Sequence, residues 1–213
     1  MLTKENGASC AYAASKKGHA EALGVLLEAG GRELLMLATK AGWTCAHVAS
    51  VNGHAEALRM LVEAGGTDML MLRTNDGRSC AYAAAQNGHA EALRVLVEAG
   101  GTELLMLTTE KGWSGAHIAS ERGHAEALRV LIEAGGKELL MLTDEDGASC
   151  AWIASRNGHA EALRVLIEVG GQELLSLKTN TGSSCADIAL ENGHAEALRV
   201  LQEMSGEGGE GNT

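Results

Sequence analysis

The hexapeptide GHAEAL begins at Gly18 and returns unchanged at Gly53, Gly88, Gly123, Gly158 and Gly193. Each copy places a histidine two residues before a glutamate. In some zinc deaminases that pair supplies a metal ligand and a proton-transfer group, but the site also needs Pro-Cys-x-x-Cys. This chain has no proline and no Cys-x-x-Cys. Equivalent histidines in packed copies would be set apart by helix spacings of about 8–10 Å, against Zn–N bonds of about 2.0–2.1 Å. The reading left for the histidine is a turn residue that hydrogen-bonds backbone groups freed by helix ends. The glutamate then favours the positive end of the following helix. No metal, no cofactor and no catalytic residue is expected.

The other reactive side chains point the same way. Cys10, Cys45, Cys80, Cys150 and Cys185 are odd in number and nowhere closely paired, which argues against a disulfide framework. Cys45 and His47 are two residues apart on a helix, so they point in nearly opposite directions. Buried cysteines filling small gaps are expected instead. The GG pairs lack the following lysine of a phosphate loop.

The 213 residues carry a formal net charge of -11. That balance disfavours nucleic acid and anionic membranes. The opening MLTKENGASC has no basic stretch followed by an apolar core, so no secretory signal is read there. No apolar run approaches the roughly 20 residues that span a bilayer. Free thiols fit a reducing compartment, so an intracellular protein, cytoplasmic or nuclear, is expected.

The dominant feature is periodicity. Every GHAEAL interval is 35 residues, and the cysteines keep the same step, with Gly115 in the place of the missing one. A fixed period of this size marks a solenoid. Residues 1–205 are read as a single array of six copies, and 206–213 as a flexible Gly/Glu-rich tail.

Within the copy Gly77 to Lys111, Ser79 is placed to cap a short helix of about eight residues ending at Gly88. A second helix, HAEALRVLVEA, sets Leu93, Leu96 and Val97 on one face and Arg94 on the other. The GG at Gly100 and Gly101 ends it. The following LLML stretch does not alternate as an exposed hairpin would, and Leu and Met favour helix, so a short helical turn is expected. A doubly buried β-hairpin is the alternative.

The pattern G-x-[ST]-x-A-x-x-A-[AS]-x-x-G-H-x-E-x-L-x-x-L-x-E-x-G resembles the ankyrin repeat. Thr44, His47, Ala49, Gly53, His54, Glu56, Leu61 and Gly65 match it in the second copy. The resemblance implies an all-α, ankyrin-like α-solenoid of stacked helix-turn-helix repeats. It also implies a non-enzymatic protein-protein interaction module that binds its partner through a concave surface. The family period is 33 residues, which places two extra residues in the inter-repeat loop. The family's proline is replaced by Cys or Gly115, and its first-helix histidine by Tyr12, Tyr82, Trp152 or Asp187 in four copies.

Against this background two positions vary. The residue after the loop glycine reads Ala8, Trp43, Arg78, Trp113, Ala148, Ser183. The pair before the turn glycine includes Val51, Gln86, Arg122 and Arg156. The resemblance places both on the groove where partners bind. Trp43, Arg78, Trp113, Val51, Gln86, Arg122 and Arg156 are therefore the candidate partner-binding residues, with Trp43, Arg78 and Trp113 forming a stripe. The competing reading has the two tryptophans covering the next copy. Tyr12, Tyr82 and Trp152 are read as packing residues. The partner is a protein of unspecified identity, and the net charge favours a basic one. A monomer is expected, with end-to-end self-association as a variant. The alternative function is a consensus-like or designed repeat scaffold without a physiological ligand.

Overall fold

The computed structural model describes residues 7–205. The tail assigned to 206–213 and the start of the first copy lie outside the described residues. Six copies each supply two helices: α1 (Cys10–Lys17) and α2 (Ala20–Gly30), α3 (Cys45–Val51) and α4 (Ala55–Gly65), α5 (Cys80–Gln86) and α6 (Ala90–Leu105) in the first three. Then follow α7 (Gly115–Arg122) and α8 (Ala125–Leu140), α9 (Cys150–Arg156) and α10 (Ala160–Ser176), α11 (Cys185–Glu191) and α12 (Ala195–Ser205). First helices pack on first helices of the neighbouring copies, and second helices on second helices. The buried face is shared between copies: Leu58, Leu93, Leu128 and Leu163 are all fully buried. No helix this short is stable alone in water, so stacking supplies the stability.

Each first helix starts where the sequence places its cap. The Ser79 hydroxyl accepts the Tyr82 N–H at 3.1 Å, and Ser9 and Ser149 do the same for Tyr12 and Trp152. The connection after the second helix is helical in every copy that has one. It is a 3-10 turn at Arg32–Leu34 and at Asp68–Met71. In α6, α8 and α10 the second glycine breaks the helix, as at Gly101 (φ 59, ψ -163), and a further helical segment follows. Met106 sits at φ -79, ψ -5, which rules out the hairpin. Leu104 and Leu105 are buried there, so the loop's two extra residues accompany an additional core layer. Among the described residues the only extended pairing is an isolated bridge between Thr143 and Ser149.

The histidine of GHAEAL does bond a freed carbonyl, but of the preceding copy. Nε2 of His89 donates to the Val51 carbonyl at 2.9 Å, His124 to Gln86 at 3.2 Å and His159 to Glu121 at 2.9 Å. A carbonyl can only accept, so each ring carries its proton on Nε2. The motif is a latch between copies as well as a turn within one. The glutamate behaves similarly. Arg59 reaches Glu91 at 2.6 Å, Arg94 reaches Glu126 at 2.8 Å and Arg129 reaches Glu161 at 2.7 Å, forming a ladder along the second helices. These pairs are exposed, so each contributes little stability by itself. Gly24 replaces the arginine in copy one and leaves the ladder without its first rung.

Four cysteines are buried, as expected; Cys10 is exposed, contrary to expectation, because it starts the first helix of the first copy. Burial pushes the Cys45 and Cys185 thiols up to about 11, and those of Cys80 and Cys150 up to about 12. The thiolate is the reactive form. A maleimide or disulfide reagent at neutral pH is therefore expected to label Cys10 alone in the native chain, and the other four only after denaturation. Rapid native labelling of all five would contradict the packing.

Candidate functional site

The strip of interest runs from the residue after each loop glycine to the residue before each turn glycine. Its backbone is clamped before any partner is considered. The Thr109 N–H donates to the Trp113 carbonyl at 2.9 Å, while the Thr109 hydroxyl accepts the Trp113 N–H at 3.1 Å. Thr39 holds Trp43 with the same two bonds, and Thr74 holds Arg78. Neighbouring loop tips are tied to one another as well, as where the Asn75 N–H meets the Ala41 carbonyl at 3.1 Å. The side chains at the variable position therefore project from a fixed main chain.

In copy three Arg78, Tyr82 and Gln86 follow at intervals of four and share one side of α5 and its approach. They form one wall of a groove of about 430 Å³. Trp113, Glu121 and Arg122 of copy four line the other side, with Asp76, Glu110 and Lys111 at the rim. The groove is open to solvent. Arg78 is oriented twice: Nε pairs with Asp76 Oδ2 at 2.9 Å, and the guanidinium lies 5.7 Å from the centre of the Tyr82 ring. Arg122 makes a looser pair with Glu121 at 3.5 Å.

Four of the seven candidate residues thus share one groove: Arg78, Gln86, Trp113 and Arg122. Trp43, Val51 and Arg156 do not line it. Trp43 is half-buried one copy earlier, edge-on to His47 with ring centres 5.9 Å apart. Val51 is half-buried at the end of α3. Arg156 lies further along, its guanidinium 5.3 Å from the centre of the Trp152 ring. The stripe is therefore a groove at copies three and four, with Trp43 on one side of it and the Trp152–Arg156 pair on the other.

Tyr12, Tyr82 and Trp152 recur every 70 residues at the third position of the first helix and alternate with His47, His117 and Asp187, and the two sets make different local contacts. At the third position of the helix His47, His117 and Asp187 fold back and accept the N–H of the capping residue, as Nδ1 of His117 does from Ser114 at 3.2 Å. Tyr12, Tyr82 and Trp152 offer no comparable acceptor there. Tyr82 instead walls the groove, and the Trp152 indole N–H reaches Ser183 of the next copy at 3.2 Å. Tyr82 is nevertheless only 7% exposed, so its packing role and its place in the groove coexist.

His47 and His117 are fully buried. Burial lowers the His47 pKa, while its Nε2 donates to the Arg78 carbonyl at 3.1 Å. His117 is lowered further, to about 4, mainly by burial; Asp144 and the Ala148 and Leu142 carbonyls oppose the shift weakly. Its Nε2 has no hydrogen-bond partner of good geometry. Trp113 covers it, ring centres 6.2 Å apart.

Position-by-position reading missed a distribution that the fold makes visible. The chain has 3 Trp, 2 Tyr and no Phe. All of these aromatics, Tyr12, Trp43, Tyr82, Trp113 and Trp152, lie on the first-helix strip. Each occupies either the variable position after the loop glycine or the third position of the helix. Tabulating aromatics by place in the repeat would have found this.

A profile described as three-copy ankyrin repeats matches residues 65–141 and 117–209, and a single ankyrin repeat profile matches 41–75. No curated protein matches the chain by sequence. Among solved structures the chain is similar to the ankyrin repeat protein EF0377. The TM-score is 0.78 at 22% identity, with 94% of this chain and 99% of that one covered. Identity at that level speaks to the fold alone. No helix among the described residues is long and apolar enough to cross a membrane. With profile matches over more than half of its length and a solenoid to go with them, the chain belongs to the ankyrin repeat family.

Proposed function

We propose that the chain is a non-enzymatic protein-binding module whose partner lies along the first-helix strip, centred on the groove between copies three and four. Ankyrin repeats are generally protein-protein interaction modules, which favours a protein ligand. The observation that carries the assignment to this strip is the confinement of every Trp and Tyr to it. Aromatic and arginine side chains dominate binding hot spots, and here they stand on a main chain fixed by the Thr39, Thr74 and Thr109 clamps. Preorganisation of that kind reduces the entropy lost on binding.

The test uses the whole chain immobilised against a display library of random peptides. Saturable binders are expected. Trp113→Ala, combined with Trp43→Ala, is expected to weaken them by about 2 kcal/mol or more, the scale of a hot spot, with little change in melting temperature. A library yielding no saturable binder would overturn the proposal. A variant that loses binding only in proportion to lost folding would move the two tryptophans back to a packing role.

A further inference from the structure

Net charge treats the molecule as uniform, and it is not. Of 17 Lys and Arg, the first-helix strip holds Lys16, Lys17, Arg78, Arg122 and Arg156; of 28 Asp and Glu it holds only Glu121, Asp187 and Glu191. The strip proper therefore carries more bases than acids on a chain of net charge -11, while the groove itself is balanced, Arg78, Lys111 and Arg122 standing against Asp76, Glu110 and Glu121. The acidic excess lies elsewhere, including the glutamates of the ladder on the second helices.

Within the strip the cations differ in what surrounds them. Arg78 is closely paired with Asp76. Arg122 is exposed, and its contact with Glu121 is long, at 3.5 Å. Arg156 has no carboxylate within ion-pair distance among the described residues and is held instead against the face of Trp152. A guanidinium set on an aromatic ring keeps its fork of N–H donors available for a carboxylate. Arg122 and Arg156 stand at the ends of the first helices of adjacent copies, α7 and α9, and the Tyr82–Trp113 groove lies beside Arg122.

We propose that the partner segment is an acidic peptide, with an apolar side chain seated between Tyr82 and Trp113 and carboxylates directed at Arg122 and Arg156. This rests on the protein-binding reading above and reverses the preference that net charge alone gives. Averaged over the molecule, a basic partner is favoured; over the strip the sign is opposite. The glutamates of the second-helix ladder disfavour acidic segments on that side, so a negatively charged ligand is directed toward Arg122 and Arg156.

The peptide library decides between the charge classes. Enrichment of Asp- and Glu-rich sequences flanking an apolar residue is the expected result. A synthetic peptide of the enriched sequence should bind about tenfold more weakly to Arg122→Glu and to Arg156→Glu, and its affinity should fall with added salt. Arg94→Glu, the same change of charge on the second-helix ladder, is expected to leave binding within twofold. Thermal melts of all three variants verify folding, since these side chains are exposed or half-buried. Enrichment of basic or uncharged peptides overturns the acidic-partner proposal and leaves the protein-binding reading standing. So does an acidic peptide that is indifferent to both reversals on the strip. Absence of any saturable peptide overturns both.

Discussion

Gly88→Ala is expected to destabilise the array by about 3 kcal/mol, roughly three times the cost of the same change at Gly193. Both glycines end a first helix with nearly the same backbone, φ 71 and φ 72. A Cβ in that left-handed region costs about 1–2 kcal/mol wherever it stands. The rest of the cost is local. A Cβ on Gly88 would lie 2.8 Å from Nδ1 and 2.9 Å from Cγ of His124, whereas one on Gly193 meets nothing within 4 Å. The His124 ring would have to move, and its Nε2 bond to the Gln86 carbonyl would be lost with it. Deleting the ring should therefore relieve the clash. In a His124→Ala background, Gly88→Ala is expected to cost only the conformational part, about 1 kcal/mol. Denaturant titrations of the four proteins in that cycle measure the coupling. Simple additivity would mean that the glycine serves its own turn only and not the latch to the next copy.

Acidification is expected to weaken the fold through His47 and His117. Both are buried with lowered pKa values, so in the folded chain they stay neutral where the unfolded chain takes up protons near pH 6.5. The state that binds more protons is favoured as pH falls, and here that is the unfolded state. Their contribution is complete above about pH 6.5 and is lost on the way down; for His117 the loss continues to about 4. A gap of that size corresponds to about 2–3 kcal/mol for His117 between neutral pH and roughly pH 4.5. Urea titrations of the native chain and of His117→Asn should converge as pH is lowered. Carboxylates titrate alike in both proteins, so the difference isolates the histidine. Parallel curves for the two would show that His117 is not held neutral.

Much of the architecture was legible in the chain itself. The 35-residue step set the number and order of copies, Ser and Thr marked helix starts, and glycine marked their ends. Leu and Met without alternation in LLML correctly indicated helix after Gly101. These signals are local: caps, propensities and periodicity act within a few residues. The candidate site was legible in part. Single variable positions pointed to Arg78, Gln86, Trp113 and Arg122, and the groove unites them. It leaves out Trp43, Val51 and Arg156, because which neighbouring copies pair their side chains depends on how far each reaches across the stack.

GHAEAL shows where the division falls. Its sequence alone determined that it is a turn between helices and that a zinc centre built on it lacks its partner motif. Only the stacked structure decided that its histidine serves the preceding copy, that its glutamate joins a ladder with the arginine of that copy, and that its glycine must be bare to admit the next histidine ring. Each of those contacts joins residues 32 to 38 positions apart, and the repeat that predicts their recurrence says nothing about their direction. The same limit governed Cys10 and the charged strip. Exposure and the sign of a surface are properties of what stacking covers and what it leaves open, and no single copy contains them.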